Sequence, residues 1–366
     1  MRRNLVIDLR MYKMSGIGRY LQALIPGLIP RVNATRISIL GSPAEMGDAE
    51  WMQDSHMELR EFRAPIFSIA EQWAGMRGLY SDCDLLWSPQ YNIPLFYRGK
   101  LLVTIYDLCQ LAYPETLGSD LQRWYARYLL SAVAARAAAI LCISEYTANE
   151  VQKYLGVDRS KLVITYPAIS NEWRESNYVR SASGDSPYLL AVGNIKKHKN
   201  LKVLIAAFES IQNRIPHRLI IVGKQEGFLN PETDLIREST LLGGRVQFTG
   251  HISEQALHNY YRNADALVLP SFYEGFGYPI VEAMALGCPV VCSNVSSLPE
   301  VAGDAALLFD PFSMDAIANA LVMIACDGEL RTTLIERGQK RVEGFFNDKC
   351  AEKTASLINR LLEDSG

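Results

Sequence analysis

Two glutamates and two glycines stand close together in Ser271-Phe-Tyr-Glu-Gly-Phe-Gly-Tyr-Pro-Ile-Val-Glu282. The apolar run Ala266–Leu269 enters this segment as a strand, and Pro279 suits the first turn of a helix, where its missing N–H costs nothing. Gly287 and Pro289 end that helix. The segment is therefore a loop at the carboxyl end of a parallel strand, the edge where α/β sheets bind ligands. Gly275 and Gly277 let backbone amides come close to a phosphate or a sugar, and a helix N-terminus favours negative charge. Carboxylates accept hydrogen bonds from vicinal hydroxyls, so one of Glu274 and Glu282 can hold a sugar and the other a ribose. The competing reading has Glu282 complementing the helix dipole and Glu274 solvated. The register of glycines, proline and strand end favours the ligand reading.

A second group is Val192-Gly-Asn-Ile-Lys-Lys-His-Lys199-Asn200, again after an apolar run, Tyr188–Val192. Lys199, immediately before a helix start, suits a diphosphate. Lys196 and Lys197 read as a solvated basic loop. Ser15-Gly16-Ile-Gly18-Arg19-Tyr20 looks like a dinucleotide fingerprint, but Leu21 stands where the third glycine belongs and the preceding loop is long, which disfavours nicotinamide. Its two glycines can still face a phosphate. In Thr104-Ile-Tyr106-Asp107-Leu108, Asp107 either contacts substrate hydroxyls or caps local backbone.

Asp82-Cys-Asp84 has the spacing of a carboxylate metal pair, but it precedes the strand Leu85–Trp87 and lies away from the ligand edge, so loop capping is the better reading. At the other end of that strand, Gln90, Tyr91 and Asn92 read as lining a cleft. The histidines (His56, His198, His217, His251, His258) lack zinc spacing, and no GxSxG elbow occurs.

Positioning these groups requires an α/β scaffold. Short apolar runs alternate with longer amphipathic stretches, the rhythm of βαβ units and parallel sheets. Strands are expected at Leu5–Ile7, Ile37–Leu40, Leu85–Trp87, Leu101–Ile105 and Ala139–Ile143. A helix opening at Gly16 carries Leu21, Leu24, Ile25 and Leu28 on one face, and Ser144 caps another helix. The polar run Asn171–Ser186 marks a linker, placed at 173–186. A second series follows: Tyr188–Val192, Arg218–Val222, Val246–Phe248 and Ala266–Leu269, with Val290–Cys292 closing the set. Helices are expected at Asn200–Ile211, Ser253–Arg262 and Pro279–Leu286, and over 345–366. The fold expected is α/β, two facing Rossmann-like domains with parallel sheets and a cleft between them.

At 366 residues, two domains are the natural expectation. Hydrophobic residues at 49% and charged residues at 21% fit a globular chain. A net charge of -3 gives no drive toward nucleic acid. Seven cysteines without a CxxC pair fit reduced thiols in a cytosolic protein. No apolar run is long enough to span a membrane, and Asp8 and Arg10 interrupt the first apolar run, against a signal peptide.

These residues resemble the retaining glycosyltransferases of family 4, of GT-B fold. The resemblance spans Ile7-Asp8 with Ser15–Tyr20, Tyr106-Asp-Leu with Tyr113-Pro-Glu115, Val192-Gly with Lys199-Asn200, and Glu274-Gly-Phe-Gly-Tyr-Pro with Glu282. It implies an N-terminal acceptor-side domain (1–172), a nucleotide-sugar domain (187–344) and a C-terminal helix (345–366) crossing back to the first domain. Lys199 would hold the donor diphosphate, beside Gly193 and Asn194. Glu274 would contact donor-sugar hydroxyls, near Gly275 and the Phe276 and Gly277 amides, and Glu282 would take the ribose. Gly16 and Gly18 would approach the phosphates from the first domain. Thr249–Ser253, with Ile252, would form the base-binding turn. Where this chain has Tyr106 and Asn194, many members have His and Arg; Tyr106 can donate from its hydroxyl, and Lys199 becomes the main diphosphate cation. Tyr106 and Asp107 join Lys199 and Glu274 as expected catalytic residues.

The expected reaction transfers a hexose, mannose from GDP-mannose by preference, with retention and without a metal or other cofactor. The acceptor implied is a saccharide or a polyprenyl-diphosphate-linked oligosaccharide of bacterial surface polysaccharide synthesis. UDP- and dTDP-sugars are the alternative donors. A sugar-nucleotide epimerase of the same fold, a non-catalytic nucleotide-sugar-binding subunit and an oxidoreductase are the rival classes. Leu121–Ala135, with Arg123, Trp124, Tyr125, Arg127 and Tyr128, reads first as a half-buried amphipathic helix; contact with the cytoplasmic face of a membrane is its alternative.

Overall fold

Each strand expected above is present in the computed structural model, which describes residues 3–46, 49–76, 79–114, 119–170, 173, 186–223, 244–346 and 349–364. The chain forms two compact units, one of Met1–Ala168 with Asn347–Gly366, the other of Ile169–Phe346.

The first unit is a seven-stranded sheet in the order β3-β2-β1-β4-β5-β6-β7. Its strands are β1 (Asn4–Asp8), β2 (Arg36–Gly41), β3 (Met57–Glu61), β4 (Leu85–Ser88), β5 (Lys100–Ile105), β6 (Ala139–Cys142) and β7 (Leu162–Ile164). All neighbours are parallel. Strands of a parallel sheet covered on both faces read as continuous apolar runs, and β1, β4 and β6 are buried along their whole length. Leu21, Leu24, Ile25 and Leu28 of helix α1 (Ser15–Leu28) are buried as their spacing requires. Helix α2 (Ile69–Met76) precedes β4. In α3 (Asp120–Arg136), Ala126, Leu129, Leu130 and Val133 face the core while Leu121, Trp124 and Tyr128 are exposed. This is the half-buried amphipathic helix expected. Ser144 caps α4 (Glu145–Leu155), accepting the Thr147 N–H at 3.0 Å.

The second unit is a six-stranded parallel sheet in the order β10-β9-β8-β11-β12-β13. Its strands are β8 (Tyr188–Val192), β9 (Arg218–Val222), β10 (Val246–Gly250), β11 (Ala266–Leu269), β12 (Val290–Ser293) and β13 (Ala306–Phe309). Helices α5 (Leu201–Ile211), α6 (Glu254–Asn263), α7 (Tyr278–Ala285), α8 (Leu298–Ala302), α9 (Met314–Cys326) and α10 (Gly328–Val342) complete it. One core joins Phe208 and Leu204 of α5 to Leu189, Ile221, Val268 and Leu321. Burying each such large apolar side chain contributes about 1.5–3 kcal/mol.

Val290–Cys292 does not close the set, because β13 pairs beside it. β3 and β7 are further strands absent from the sequence reading. β3 and β13 are edge strands with mixed burial. β3, Met-Glu-Leu-Arg-Glu, lacks the uninterrupted apolar run that betrays a central strand, whereas β13, Ala-Leu-Leu-Phe, carries one that the sequence reading did not take up. Of the expected linker at 173–186, only Trp173 and Ser186 fall among the described residues. Trp173 is buried, 4.2 Å from the His258 ring and 6.0 Å from the Tyr261 ring.

The last helix, α11 (Lys349–Glu363), lies in the first unit. It packs on α1, accepts the Lys100 ammonium on the Leu361 carbonyl at 2.9 Å, and takes the Asn33 N–H on Asn359 Oδ1 at 2.8 Å. All seven cysteines are free thiols. No helix among the described residues is long and apolar enough to cross a membrane.

Candidate active site

The second sheet reverses its strand order between β8 and β11, and the loops leaving these two strands meet there, at the ligand edge of a doubly wound sheet. After β8, Gly193 donates to Val222 O at 2.9 Å, and Lys197–Lys199 form one 3₁₀ turn. Asn200 then adopts a left-handed conformation and donates its side-chain amide to Pro311 O, aiming Lys199 back toward Gly193. After β11, the Phe272 N–H reaches the His198 carbonyl at 3.0 Å and stitches the two loops together.

This places Lys199 Nζ 2.5 Å from Glu274 Oε1, with side chains only 16% and 12% exposed. Ser271 Oγ donates to the same carboxylate oxygen at 2.7 Å. The Glu274 N–H donates to Ser296 Oγ, and Ser297 Oγ donates to the Glu274 carbonyl at 2.9 Å. Burial pushes the Glu274 carboxyl up, but the Lys199 ammonium, the nearby His198 and the hydrogen bonds from Lys199 and Ser271 outweigh it and leave the carboxyl below its usual range. Burial, helped by the Lys199 charge, pushes His198 down to about 4, so it is neutral at pH 7. A cation and a carboxylate are thus held ready at one sheet edge. The ammonium can neutralise a leaving phosphate, and the carboxylate can accept from hydroxyls.

Gly277, at φ +98, begins α7, and a Cβ there would lie 2.7 Å from Leu298 Cδ2, so only glycine fits. Phe276 is buried against the rings of Tyr278 and Phe345. Asn194 and Ile252 are partly exposed. The turn bearing Ile252 is tied to the end of β9 through the Gly223 N–H on the Gly250 carbonyl. Glu282 lies in the second turn of α7, so the helix-dipole reading does not apply. It is 1% exposed and accepts the Tyr261 hydroxyl at 2.7 Å.

The ligand edge of the first sheet also has a switch point, between β1 and β4, and here several expectations change. Gly18 donates its N–H to the Met14 carbonyl, and a Cβ on it would lie 2.7 Å from the Tyr12 carbonyl oxygen. This position therefore requires glycine for chain packing alone. Gly16 is exposed, with open space where a Cβ would stand. The Tyr106 hydroxyl does not point outward to donate to a sugar. It is buried without a hydrogen-bond partner among the described residues, its ring edge-on to Tyr20 at 5.4 Å. Asp107 Oδ1 caps the Cys109 N–H at 2.9 Å, which is the backbone reading of that residue. Glu115, in the Tyr-Pro-Glu stretch, lies outside the described residues.

Gln90 and Asn92 do not line an open cleft; both are buried. Asn92 Nδ2 donates to Glu71, and Glu71 pairs with Arg10, which binds Asp8 through two nitrogens, at 2.9 and 2.5 Å. Arg10 also donates to the Ala64 carbonyl at 2.9 Å and lies 4.2 Å over the Phe62 ring. Asp84 caps as expected, accepting the Asn4 N–H at 2.8 Å, whereas Asp82 instead pairs with Arg60 at 3.0 Å and with Arg36.

Sequence reasoning gave no role to Ser271, Ser296, Ser297, Arg10 or Glu71. The serine pair before Leu298-Pro299 carries a helix-start signal that points to the first of these groups. Nothing local marks Arg10 and Glu71, which are distant in sequence and meet only through the fold.

The second unit matches the family model "Glycosyl transferases group 1" over residues 174–341, and residues 14–173 match "Glycosyltransferase Family 4". The chain is 30% identical over 287 residues to O-antigen chain mannosyltransferase B of Escherichia coli, covering 74% of each chain. It is 27% identical over 251 residues to O-antigen chain mannosyltransferase RfbU of Salmonella typhimurium, covering 68% of this chain and 67% of the other. Among solved structures, sucrose-phosphate synthase from Thermosynechococcus elongatus superposes over 100% of both chains with a TM-score of 0.76 at 19% identity, a likeness of fold. With two doubly wound parallel sheets and both family models matched in series, the chain belongs to glycosyltransferase family 4 and is a glycosyltransferase of GT-B fold.

Proposed function

We propose that this transferase moves a hexose, mannose from GDP-mannose, with retention of configuration and without a metal or other cofactor. The acceptor is a saccharide or a polyprenyl-diphosphate-linked oligosaccharide of bacterial surface polysaccharide. The observation that carries this reading is the Lys199–Glu274 pair at the β8/β11 switch point. The donor choice leans on the two O-antigen mannosyltransferase relatives.

In this reading the donor diphosphate displaces Glu274 from Lys199, whose ammonium then neutralises the departing nucleoside diphosphate. Glu274, released and held by Ser271, accepts from hydroxyls of the donor sugar. Glu282, oriented by Tyr261, holds the ribose, and the turn with Ile252 faces the base. Gly193, Asn194, Gly275 and the Phe276 and Gly277 amides border the donor. A lipid-linked acceptor places the enzyme in the cytoplasm, in peripheral contact with the membrane, and the exposed Leu121, Trp124 and Tyr128 of α3 suit that contact.

The test is thermal stability with GDP, UDP, dTDP and ADP, each in large excess, first without metal and then with magnesium. Ligand at about a hundred times its dissociation constant adds roughly 2.7 kcal/mol to the state it binds. A shift with GDP alone supports the GDP-mannose donor. A shift with UDP or dTDP alone replaces the donor and keeps the transferase. No shift with any nucleotide removes the donor-site assignment of Lys199, Glu274 and Glu282. Sugar release to water or acceptor, rather than conversion of the donor to its epimer, separates transferase from epimerase.

A further inference from the structure

Phe67 has φ +63, a backbone conformation that L side chains rarely adopt. Its N–H donates to Glu71 Oε2 at 3.1 Å, and Glu71 is fixed by Arg10 and Asn92. Arg10 holds Ala64, three residues earlier, and Ser68 Oγ bridges the Pro65 carbonyl at 2.6 Å and the Glu71 N–H at 3.2 Å. The segment from Ala64 to Ser68 is thus pinned from within by the buried charge cluster.

The pinned backbone does not bury an apolar ring. The Phe67 side chain is 46% exposed and stands 5.5 Å from the Tyr91 ring, tilted by 44°. Packing alone gives no reason to strain a backbone in order to leave a phenyl face in water. Tyr91 follows β4 at the ligand edge of the first sheet. Its phenol is hydrogen-bonded by Gln110, the Asp107 charge is near, and burial pushes it up to about 12, so it keeps its proton. Gln110 Oε1 has no hydrogen-bond partner among the described residues. Arg10, which holds this segment, is committed to Asp8 and Glu71, and the Asp107 charge near Tyr91 argues against an anionic ligand here.

We propose that Phe67 and Tyr91 form an aromatic platform for one pyranose ring of the acceptor, with the Tyr91 hydroxyl and Gln110 reading its hydroxyls. A pyranose is apolar on the face that carries its axial C–H bonds and polar at its rim. The electron-rich face of an aromatic ring meets those C–H bonds, and a donor and an acceptor at the rim match hydroxyls that need both. This rests on the transferase reading, since it places the saccharide that receives the sugar.

The experiment is saturation-transfer NMR on the whole chain with millimolar methyl α-D-mannopyranoside and methyl α-D-glucopyranoside, irradiating aromatic protons. Phe67→Ala, Phe67→Tyr and Tyr91→Phe are compared with the parent. The parent should transfer saturation to ring C–H protons of at least one glycoside. Phe67→Ala should weaken that signal about fivefold, the loss expected for one aromatic contact, while Phe67→Tyr retains it. Tyr91→Phe should weaken the transfer to a smaller degree. Equal signals in parent and Phe67→Ala, or no signal in the parent, overturn the platform. Nucleotide-induced thermal shifts on the same proteins separate the two failures. If those shifts persist while the glycoside signal ignores Phe67, the platform fails alone; if the parent shows none, the donor reading has failed.

Discussion

The two sheets share a winding but use their switch points differently. At β1/β4 a cation and two carboxylates, Asp8, Arg10 and Glu71, are sealed inside with side chains 2–6% exposed. At β8/β11 a single cation meets a single carboxylate, Lys199 and Glu274, and both keep an opening to solvent. Buried charge must be paired and hydrogen-bonded to be tolerated, and the first group spends its hydrogen bonds on neighbouring backbone and on Asn92. The second spends its own on a partner that a diphosphate can replace. One topology therefore yields a rigid former of loop shape in one unit and an exchangeable ion pair in the other.

The sharpest way to break this contrast is to remove each cation. Arg10→Met leaves Asp8 and Glu71 buried without compensation, and should cost about 3–5 kcal/mol in denaturant unfolding of the first unit. Nucleotide binding by the protein that remains folded should hold. A loss under about 1 kcal/mol, the value of an exposed pair, would make the cluster no more than a surface network. Lys199→Ala should do the reverse, lowering the transfer rate by two to three orders of magnitude, about 3–4 kcal/mol of transition-state stabilisation, with little change in unfolding. A transfer rate within tenfold of the parent would remove the ammonium from the reaction.

A smaller effect comes from acid. His198 has a folded pKa of about 4, below its ordinary 6.5, so the unfolded chain takes up this proton first. Glu274 also sits below its ordinary value, so its contribution is present above the unfolded pKa and lost as pH falls through the folded one. Both act in one direction: the second unit should lose stability progressively from about pH 6.5 downward. Melting followed between pH 7 and 4 checks this, and in a His198→Gln variant the upper part of the decline should vanish. A decline of equal size in the variant would assign it to other groups.

The lower-numbered site was the less legible of the two for a physical reason. Glycine, proline and strand ends punctuate the chain around Glu274 and Lys199, so the loops that carry them can be placed from local signals. That these loops meet, 75 residues apart, follows from the strand order alone. Arg10 reads in sequence only as an interruption of the first apolar run and Glu71 carries no signal, because charge inside a core is recognised only by its partners. Tyr106 was placed correctly at the end of β5, but which way its ring turns depends on Tyr20 of α1, which no local pattern reveals. Edge strand β3 escaped because a strand with one neighbour needs no continuous apolar run, whereas β13 carried such a run, Ala306–Phe309, and was passed over.

Residues 169–346 form the second unit from one unbroken stretch of chain, whereas the first unit is finished only by α11, packed on α1 and tied to Lys100 and Asn33. A ribosome works from one end. During synthesis the later unit therefore has all its parts before the earlier one does, and the apolar face of α1 that α11 covers waits uncovered until α11 leaves the exit tunnel. The order of assembly thus runs against the order of the sequence.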